Sequence, residues 1–224
     1  MKFIQILVEG QTEETFVKSV FNPYFLRLEV HITPIILSTK RIKSGLKFKG
    51  GVSTYQKIRK DILHILGNTS AEIVTTMFDY YGLPDDFPGK ISMTPGTCFA
   101  KVNHLETEFA KDINNQRFIP FLMLHEFEAF VFVAPDTVSK VFPGLNIVSQ
   151  LTRIKNYYRT PEEINDGLET HPSKRIEGLA PEYRKSVHGP IITKRIGMDT
   201  MLQECPHFNQ WIQRIGQVNN VAGN

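Results

Sequence analysis

Short apolar runs alternate with segments of helical periodicity along the first 132 residues. Apolar residues recur at helical spacing in residues 12–21, 55–66 and 97–110. The runs that read as buried strands are residues 3–8, 30–37, 72–78 and 117–124. This alternation predicts an α/β fold with a mostly parallel central sheet and helices on both of its faces.

Local signals refine two of these elements. Thr12 is predicted to cap the first helix, with Glu13 and Glu14 in its first turn, and Asn22-Pro23 is predicted to end it. Pro34 cannot donate to a neighbouring strand, so the second strand is expected at the edge of the sheet or broken at this residue.

The pattern changes after residue 134. Residues 135–217 contain short helix-like segments that are repeatedly interrupted by proline and glycine, and they predict a helical extension packed on the sheet domain of residues 1–134. In this extension Trp211 and its apolar neighbours form a helical core stripe. Residues 218–224 are expected to be a frayed tail.

Composition indicates the class of protein but says little about its function. The 224 residues are 41% hydrophobic and carry a net charge of only +3, as in an ordinary globular protein, so overall charge alone does not argue for nucleic acid. The two cysteines lie far apart in the chain, which gives no zinc motif and fits a reducing cytosol. Because no apolar run approaches ~18 residues, we expect a cytoplasmic protein.

Acidic residues follow three of the predicted strands. Glu9 ends the first strand with Glu13 four residues later, Asp79 ends the third, and Glu126 and Glu128 follow the fourth. The carboxyl ends of parallel strands lie along one edge of a sheet, so these acids are expected to converge. Hard oxygen ligands gathered in this way suit Mg²⁺ or Mn²⁺.

The same residues resemble a known family. An apolar strand ending in Glu9-Gly10, a further glutamate at Glu13 and a later strand ending in Asp79 look like a Toprim domain over residues 1–135. Nearly the whole chain is similar to an uncharacterised bacterial Toprim-like family related to OLD-type nucleases and RloB-like defence proteins. The motifs that carry this second likeness are residues 78–84, 125–129 and 205–208.

The resemblance implies roles for the matching positions. Glu9 corresponds to a metal ligand or general acid/base, Glu13 to the extra glutamate of the OLD-type motif, and Asp79 to the first aspartate of an Asp-x-Asp motif. Tyr81 stands where that motif has its second aspartate, and a phenol with a pKa of about 10 is a poor ligand for Mg²⁺. The missing carboxylate has four candidate replacements, namely Asp85, Asp86, Glu126 and Glu128; otherwise the site binds one metal weakly or none.

Basic residues form two clusters in the sequence. Residues 40–60 contain eight Lys and Arg residues and no acid, which is either a phosphate-binding surface or a solvated loop and helix face. A weaker cluster lies at His171, Lys174 and Arg175. The candidate nucleic-acid ligands are Lys40, Arg41, Lys43, Lys47, Lys49, Lys174 and Arg175.

Three functions are compatible with these patterns. The leading hypothesis is a Mg²⁺-dependent nuclease in which Glu9, Asp79 and Glu128 are catalytic, acting on DNA more readily than RNA. The resemblance implies work in bacterial phage defence beside a separate ATPase, because the sequence lacks a Walker motif; whether the chain also forms a homo-oligomer stays open. The alternatives are a catalytically inactive binding or regulatory subunit, and a nucleotide phosphotransferase with a compact pocket under the extension.

Overall fold

The computed structural model describes residues 1–37, 54–164 and 170–217. Its centre is a parallel sheet in the order β2-β1-β3-β4, with β5 also paired to β3. The strands are β1 Lys2–Val8, β2 Val30–Ile36, β3 Ile73–Asp79, β4 Phe118–Ile119 and β5 Leu122–Met123. The predicted α/β class with its mostly parallel sheet is confirmed, and β2, which contains Pro34, lies at the edge. The basic segment that contains Lys40 to Lys49, and the predicted tail, lie outside the described residues.

The fourth predicted strand is interrupted in the structure. Pro120 has no backbone N–H to donate, and it separates β4 from β5. Two buried threonines of β3 bond to the backbone around the gap: the Thr75 hydroxyl donates to the Ile119 carbonyl, and the Thr76 hydroxyl both donates to the Phe121 carbonyl and accepts its N–H. Side-chain hydroxyls therefore hold the chain in line where proline breaks the strand.

The first helix is longer than its sequence predicts. Helix α1 spans Gln11–Phe16, a π-helical turn covers Val17–Phe21, and α2 continues through Asn22–Leu26. The prediction that Asn22-Pro23 ends the helix is wrong, because Pro23 lies in the first turn of α2, where a missing N–H is tolerated. The capping residue is Gly10 in an extended conformation, rather than Thr12, and its N–H donates to Glu13 Oε2.

Two helices cover one face of the sheet. They are α3 at Tyr55–Asn68 and α4 at Cys98–Ile113, and both pack on apolar residues of β3 such as Val74 and Phe78. The Thr97 hydroxyl caps α4 by accepting the Ala100 N–H. Asp86 accepts the N–H of Tyr55 at the start of α3, which gives this candidate ligand a helix-capping contact.

The C-terminal residues cover the opposite face together with α1 and α2. Their buried side chains form one core with Ile4, Ile6 and Val8 of β1. Their elements are a 3₁₀ helix at Phe127–Val133, α5 Pro135–Ser139, α6 Val148–Tyr157, a 3₁₀ turn at Pro161–Glu163, α7 Pro172–Leu179, α8 Lys185–Ile196, α9 Met198–Glu204 and α10 Pro206–Gln217. No helix in the described part of the chain is long and apolar enough to cross a membrane.

Helix α10 is tied to the sheet by aromatic stacking and by buried polar contacts. The Trp211 ring lies parallel to Phe121 at a centroid distance of 4.2 Å, and its indole N–H donates to Thr75 at 2.9 Å. At the start of α10, the Glu162 carboxylate accepts the N–H groups of His207 and Phe208, each at 2.9 Å. The predicted core stripe of this helix is confirmed.

The cap at α10 gives a stability prediction. Replacing Glu162 by alanine leaves two buried N–H groups without an acceptor, and we expect it to lower the free energy of unfolding by about 2 kcal/mol. Urea denaturation followed by the fluorescence of Trp211, the single tryptophan, measures the change. Glu177→Ala, which removes an exposed ion pair with Lys174, is the control and should cost less than about 1 kcal/mol. Equal stability of the two variants would show that the cap is unimportant.

Candidate functional site

Four carboxylates converge at the carboxyl edge of the sheet. Glu9 follows β1 directly, Glu13 lies in the first turn of α1, Asp79 ends β3, and Glu128 lies in the 3₁₀ helix after β5. The contacts are direct: Glu9 Oε1 accepts the Asp79 N–H at 2.8 Å, and Asp79 Oδ1 accepts the Phe127 N–H at 3.0 Å. We call Glu9, Glu13, Asp79 and Glu128 the acidic cluster.

Lys185 lies among these carboxylates. It is the first residue of α8, which packs against α1, and its side chain is 36% exposed. Its Nζ is 3.0 Å from Asp79 Oδ2, 3.1 Å from Glu128 Oε2 and 3.8 Å from Glu13 Oε1. Lys185 is not predicted from the sequence, because nothing in its local sequence indicates that α8 brings it to an edge formed by residues 9 to 128.

Burial makes the acidic cluster electrostatically unusual. Burial, reinforced by the charges of Asp79 and Glu13, raises the pKa of Glu9 to about 8. Burial also raises the pKa of Glu128 to about 8, although Lys185 opposes the shift, and it raises the pKa of Glu13. Burial acts to lower the pKa of Lys185, but the three nearby carboxylates outweigh it and raise that pKa well above its usual value. Lys185 is therefore charged at neutral pH, whereas the glutamates are poised to exchange protons.

Two further residues support the acidic cluster. The Tyr183 hydroxyl donates to Glu128 Oε1 at 3.2 Å; burial and then the charge of Glu128 raise the pKa of Tyr183, so the phenol stays neutral. Gly82 faces the Glu9 carboxylate so closely that an added Cβ would be 3.1 Å from Glu9 Oε2. A side chain at position 82 would therefore push on Glu9, which explains a glycine in the turn after β3.

Glu126 points to α7. Its Oε1 accepts the Ser173 N–H at 2.7 Å and lies 2.8 Å from His171 Nδ1. Glu126 is thus next to the acidic cluster in sequence but bonded to the start of α7. The Ser173 hydroxyl is also 3.0 Å from the same nitrogen of His171, so these three residues do not form a relay through both imidazole nitrogens.

Tyr81, at the position of the second motif aspartate, contacts two histidines. Its ring centroid is 5.3 Å from that of His125 and 6.5 Å from that of His171, and its N–H donates to the His125 carbonyl. His125 has a φ of 64°, a left-handed conformation that is uncommon for a residue with a side chain. Burial lowers the pKa of His125 to about 4, which keeps the imidazole neutral at physiological pH.

The remaining candidates have contacts elsewhere. Asp85 is solvent-exposed and lies 3.7 Å from Lys90. Lys174 pairs with Glu177, and Arg175 donates to the Thr170 carbonyl and the Tyr158 hydroxyl, all on or beside α7. The acidic cluster therefore forms without Asp85, and the second basic group lies on α7.

The acidic cluster fits a divalent metal in the chemistry of its donors. All are carboxylate oxygens, and the fully buried Glu128 Oε2 has no hydrogen bond, although Lys185 Nζ lies 3.1 Å away. As arranged, however, no group of three or more His, Cys, Asp or Glu residues in the described segments has the geometry to hold a metal ion. The Lys185 ammonium lies where the carboxylates converge, so a divalent ion and this ammonium would compete for the same oxygens.

The fold and this edge define a parallel α/β protein with a carboxylate–lysine site. The chain belongs to the family described as Domain of unknown function (DUF4276), whose model matches residues 8–216. That range begins at the last residue of β1 and includes strands β2 to β5, the C-terminal helices and every residue of the acidic cluster. No curated protein and no solved structure matches the chain.

Proposed function

We propose that the chain is a Toprim-like, Mg²⁺- or Mn²⁺-dependent phosphodiesterase that cleaves nucleic acid. One observation carries the proposal: among the described residues, four carboxylates and one ammonium meet at the carboxyl edge of a parallel sheet. When all are ionised these five groups have a net charge of 1 − 4 = −3. Without a further cation this excess is avoided by protonation, because burial raises the pKa of Glu9 and Glu128 to about 8; full ionisation near neutral pH needs a further cation, and perturbed acids of this kind concentrate at functional sites.

Each residue has a role in the proposed reaction. Glu9, Glu13, Asp79 and Glu128 would hold the divalent ion, which polarises a phosphoryl oxygen and lowers the pKa of bound water. Before the ion binds, Glu9 and Glu128 have a pKa of about 8, and a glutamate of this pair that does not ligate the ion would act as the general acid or base. The ammonium of Lys185 would turn from the carboxylates to the phosphate and stabilise the negative charge that develops on it.

The same proposal includes the substrate, the cellular location and a partner subunit. The basic residues Lys40, Arg41, Lys43, Lys47 and Lys49 would hold a phosphodiester backbone, with DNA preferred to RNA. By the family resemblance, the protein would work in the cytoplasm with a separate ATPase subunit in phage defence.

A second candidate function is favoured by the position of Lys185. If its ammonium is the permanent counterion of the acidic cluster, no metal is needed, and the chain is a binding or regulatory subunit without catalysis. Tyr81 in place of a motif aspartate agrees with this alternative.

A cleavage assay separates the two functions. The purified protein is incubated with plasmid, single-stranded DNA and RNA, with Mg²⁺, with Mn²⁺ or with a chelator. The phosphodiesterase proposal predicts cleavage that requires the metal and is lost in Glu9→Gln. Salt-sensitive binding without cleavage would support the binding subunit, and equal nicking by wild type and Glu9→Gln would reveal a contaminating nuclease.

The raised pKa values predict how metal binding depends on pH. Below pH 8, Glu9 and Glu128 are largely protonated, and a divalent ion must displace those protons. We expect Mn²⁺ affinity to rise by about tenfold per pH unit between pH 6 and pH 8 for each proton displaced. Isothermal titration calorimetry in buffers of different ionisation enthalpy measures both the affinity and the protons released. Glu9→Gln should show a smaller dependence, and an affinity that is independent of pH would contradict the argument.

A further inference from the structure

A concave surface lies on the C-terminal helices, between α6 and the start of α7. It is an open groove of about 580 Å³, within the range of ligand-binding clefts. Among the residues that the structure describes, its walls contain two arginines and two tyrosines and no acidic residue: Gln150, Arg153, Ile154, Tyr157, Tyr158 and Arg175.

The tyrosines present aromatic surface to solvent. The side chain of Tyr157 is 83% exposed, which is unusual for an aromatic residue, and its ring meets the Tyr158 ring edge-on at 5.1 Å. Arg175 lies 5.7 Å from the centre of the Tyr158 ring and donates to its hydroxyl at 2.9 Å. Tyr158 is thus fixed, while one face of Tyr157 is available for stacking.

The described lining of the groove includes two cationic side chains, those of Arg153 and Arg175. Arg153 is exposed, and within the described part of the chain it forms no ion pair. Arg175 is held in place by the carbonyl of Thr170 and adds a second guanidinium. A planar guanidinium matches the geometry of phosphate and also stacks on bases, so two arginines beside the exposed Tyr157 favour an anionic, aromatic ligand.

Helix α7 connects this groove to the acidic cluster. At its start, Ser173 and the preceding His171 bind Glu126, which lies two residues before Glu128. Arg175, two residues after Ser173, lines the groove. A ligand along α7 would therefore extend from the groove towards the carboxyl edge of the sheet.

We propose that this groove binds single-stranded nucleic acid, with a base stacked on Tyr157 and phosphates paired with Arg153 and Arg175. The link to cleavage rests on the proposed phosphodiesterase function, whereas binding in the groove does not. The commitment to a single strand follows from Tyr157, because an unpaired base offers its face to an aromatic ring and a base inside a duplex does not.

The test is fluorescence anisotropy in a chelator, where the acidic cluster can hold no divalent ion. The probe is a labelled strand of about 12 nucleotides, a length within the usual site sizes, offered as DNA, as RNA and as the corresponding DNA duplex. Tyr157→Ala is expected to weaken binding of the single strand about tenfold, and Tyr157→Phe to leave it unchanged because stacking is kept. Arg153→Glu is expected to weaken it similarly and to reduce the salt-dependence slope by about 0.7.

The control is Lys194→Glu, which makes the same charge reversal at an exposed residue of α8 outside the groove. Circular dichroism confirms that each variant is folded. Wild-type affinity in both Tyr157→Ala and Arg153→Glu overturns the proposal, and so does duplex binding that equals single-strand binding. Absence of any nucleic-acid binding, or capture of a protein on this surface instead, overturns it too. Groove-dependent binding without cleavage would support this proposal while counting against the phosphodiesterase function, so the two failures are distinguishable.

Discussion

Replacing Asp79 by asparagine is expected to reduce metal-dependent cleavage about a thousandfold without unfolding the protein. The fold should persist because asparagine is isosteric and its carbonyl oxygen can still accept the Phe127 N–H. What is lost is one anionic ligand at the centre of the acidic cluster. Weakening the metal's stabilisation of the transition state by about 4 kcal/mol corresponds to that factor in rate.

The rate is measured under single-turnover conditions with saturating Mn²⁺, so that weaker substrate binding does not contribute. Asp85→Asn is the matched control, because Asp85 is an exposed aspartate six residues further along the same connection. It should cleave at the wild-type rate. If Asp79→Asn still requires metal and cleaves within about threefold of the wild-type rate, Asp79 has no role in catalysis.

Replacing Lys185 by methionine is expected to lower both stability and cleavage activity, and added metal should restore only the stability. Without metal, the variant removes the ammonium that lies between Asp79, Glu128 and Glu13. We expect a loss of about 2 kcal/mol in the free energy of unfolding, less than for a fully buried ion pair because the Lys185 side chain is 36% exposed. Adding Mn²⁺ should restore stability, whereas cleavage should remain at least about a hundredfold below wild type.

The pH dependence of this variant has a definite sign. A carboxyl group whose pKa is raised in the folded state, such as Glu128 at about 8, binds more protons folded than unfolded. Its effect on stability therefore becomes less favourable as pH rises from its unfolded value of 4.5 to about 8. Lys185 lowers the pKa of Glu128, so without Lys185 this loss should be larger and should extend to higher pH.

Thermal denaturation across that pH range, with and without Mn²⁺, measures the effect. Lys194→Met, which removes an exposed lysine from the same helix, should match wild type. A Lys185→Met protein that is as stable as wild type at pH 8 without metal would show that the ammonium does not neutralise the acidic cluster. Full cleavage activity in that variant would show that Lys185 has no part in the reaction.

The sequence predicts the sheet well because parallel strands buried on both faces leave continuous apolar runs. The prediction of element boundaries fails at two prolines, because a proline can either end an element or be accommodated within it. Pro23 was expected to end the first helix, but the chain continues through a π-helical turn; Pro120 was expected inside one strand, but it divides that strand in two. Local propensity cannot distinguish these cases, because the Thr75 and Thr76 hydroxyls that bond across the gap come from another strand.

The sequence predicts that the carboxylates of the site lie together, but it does not predict that a lysine lies among them. Glu9, Asp79 and Glu128 could be grouped because each follows a strand whose end the topology fixes. Lys185 belongs to α8, whose position is set by packing against α1, so no spacing or composition signal marks it. The contact of Glu126 with His171 depends in the same way on how α7 docks. Side chains supplied by the sheet are therefore predictable here, and those supplied by the C-terminal helices are not.

The most direct test of the account is a crystal structure of the protein soaked in Mn²⁺, with the ion located by its anomalous scattering. We expect an ion within about 2.5 Å of oxygens of Glu9 or Asp79, with the Lys185 ammonium displaced from its position 3.0 Å from Asp79. An acidic cluster without an anomalous peak, with Lys185 still bound to Asp79 and Glu128, would contradict it.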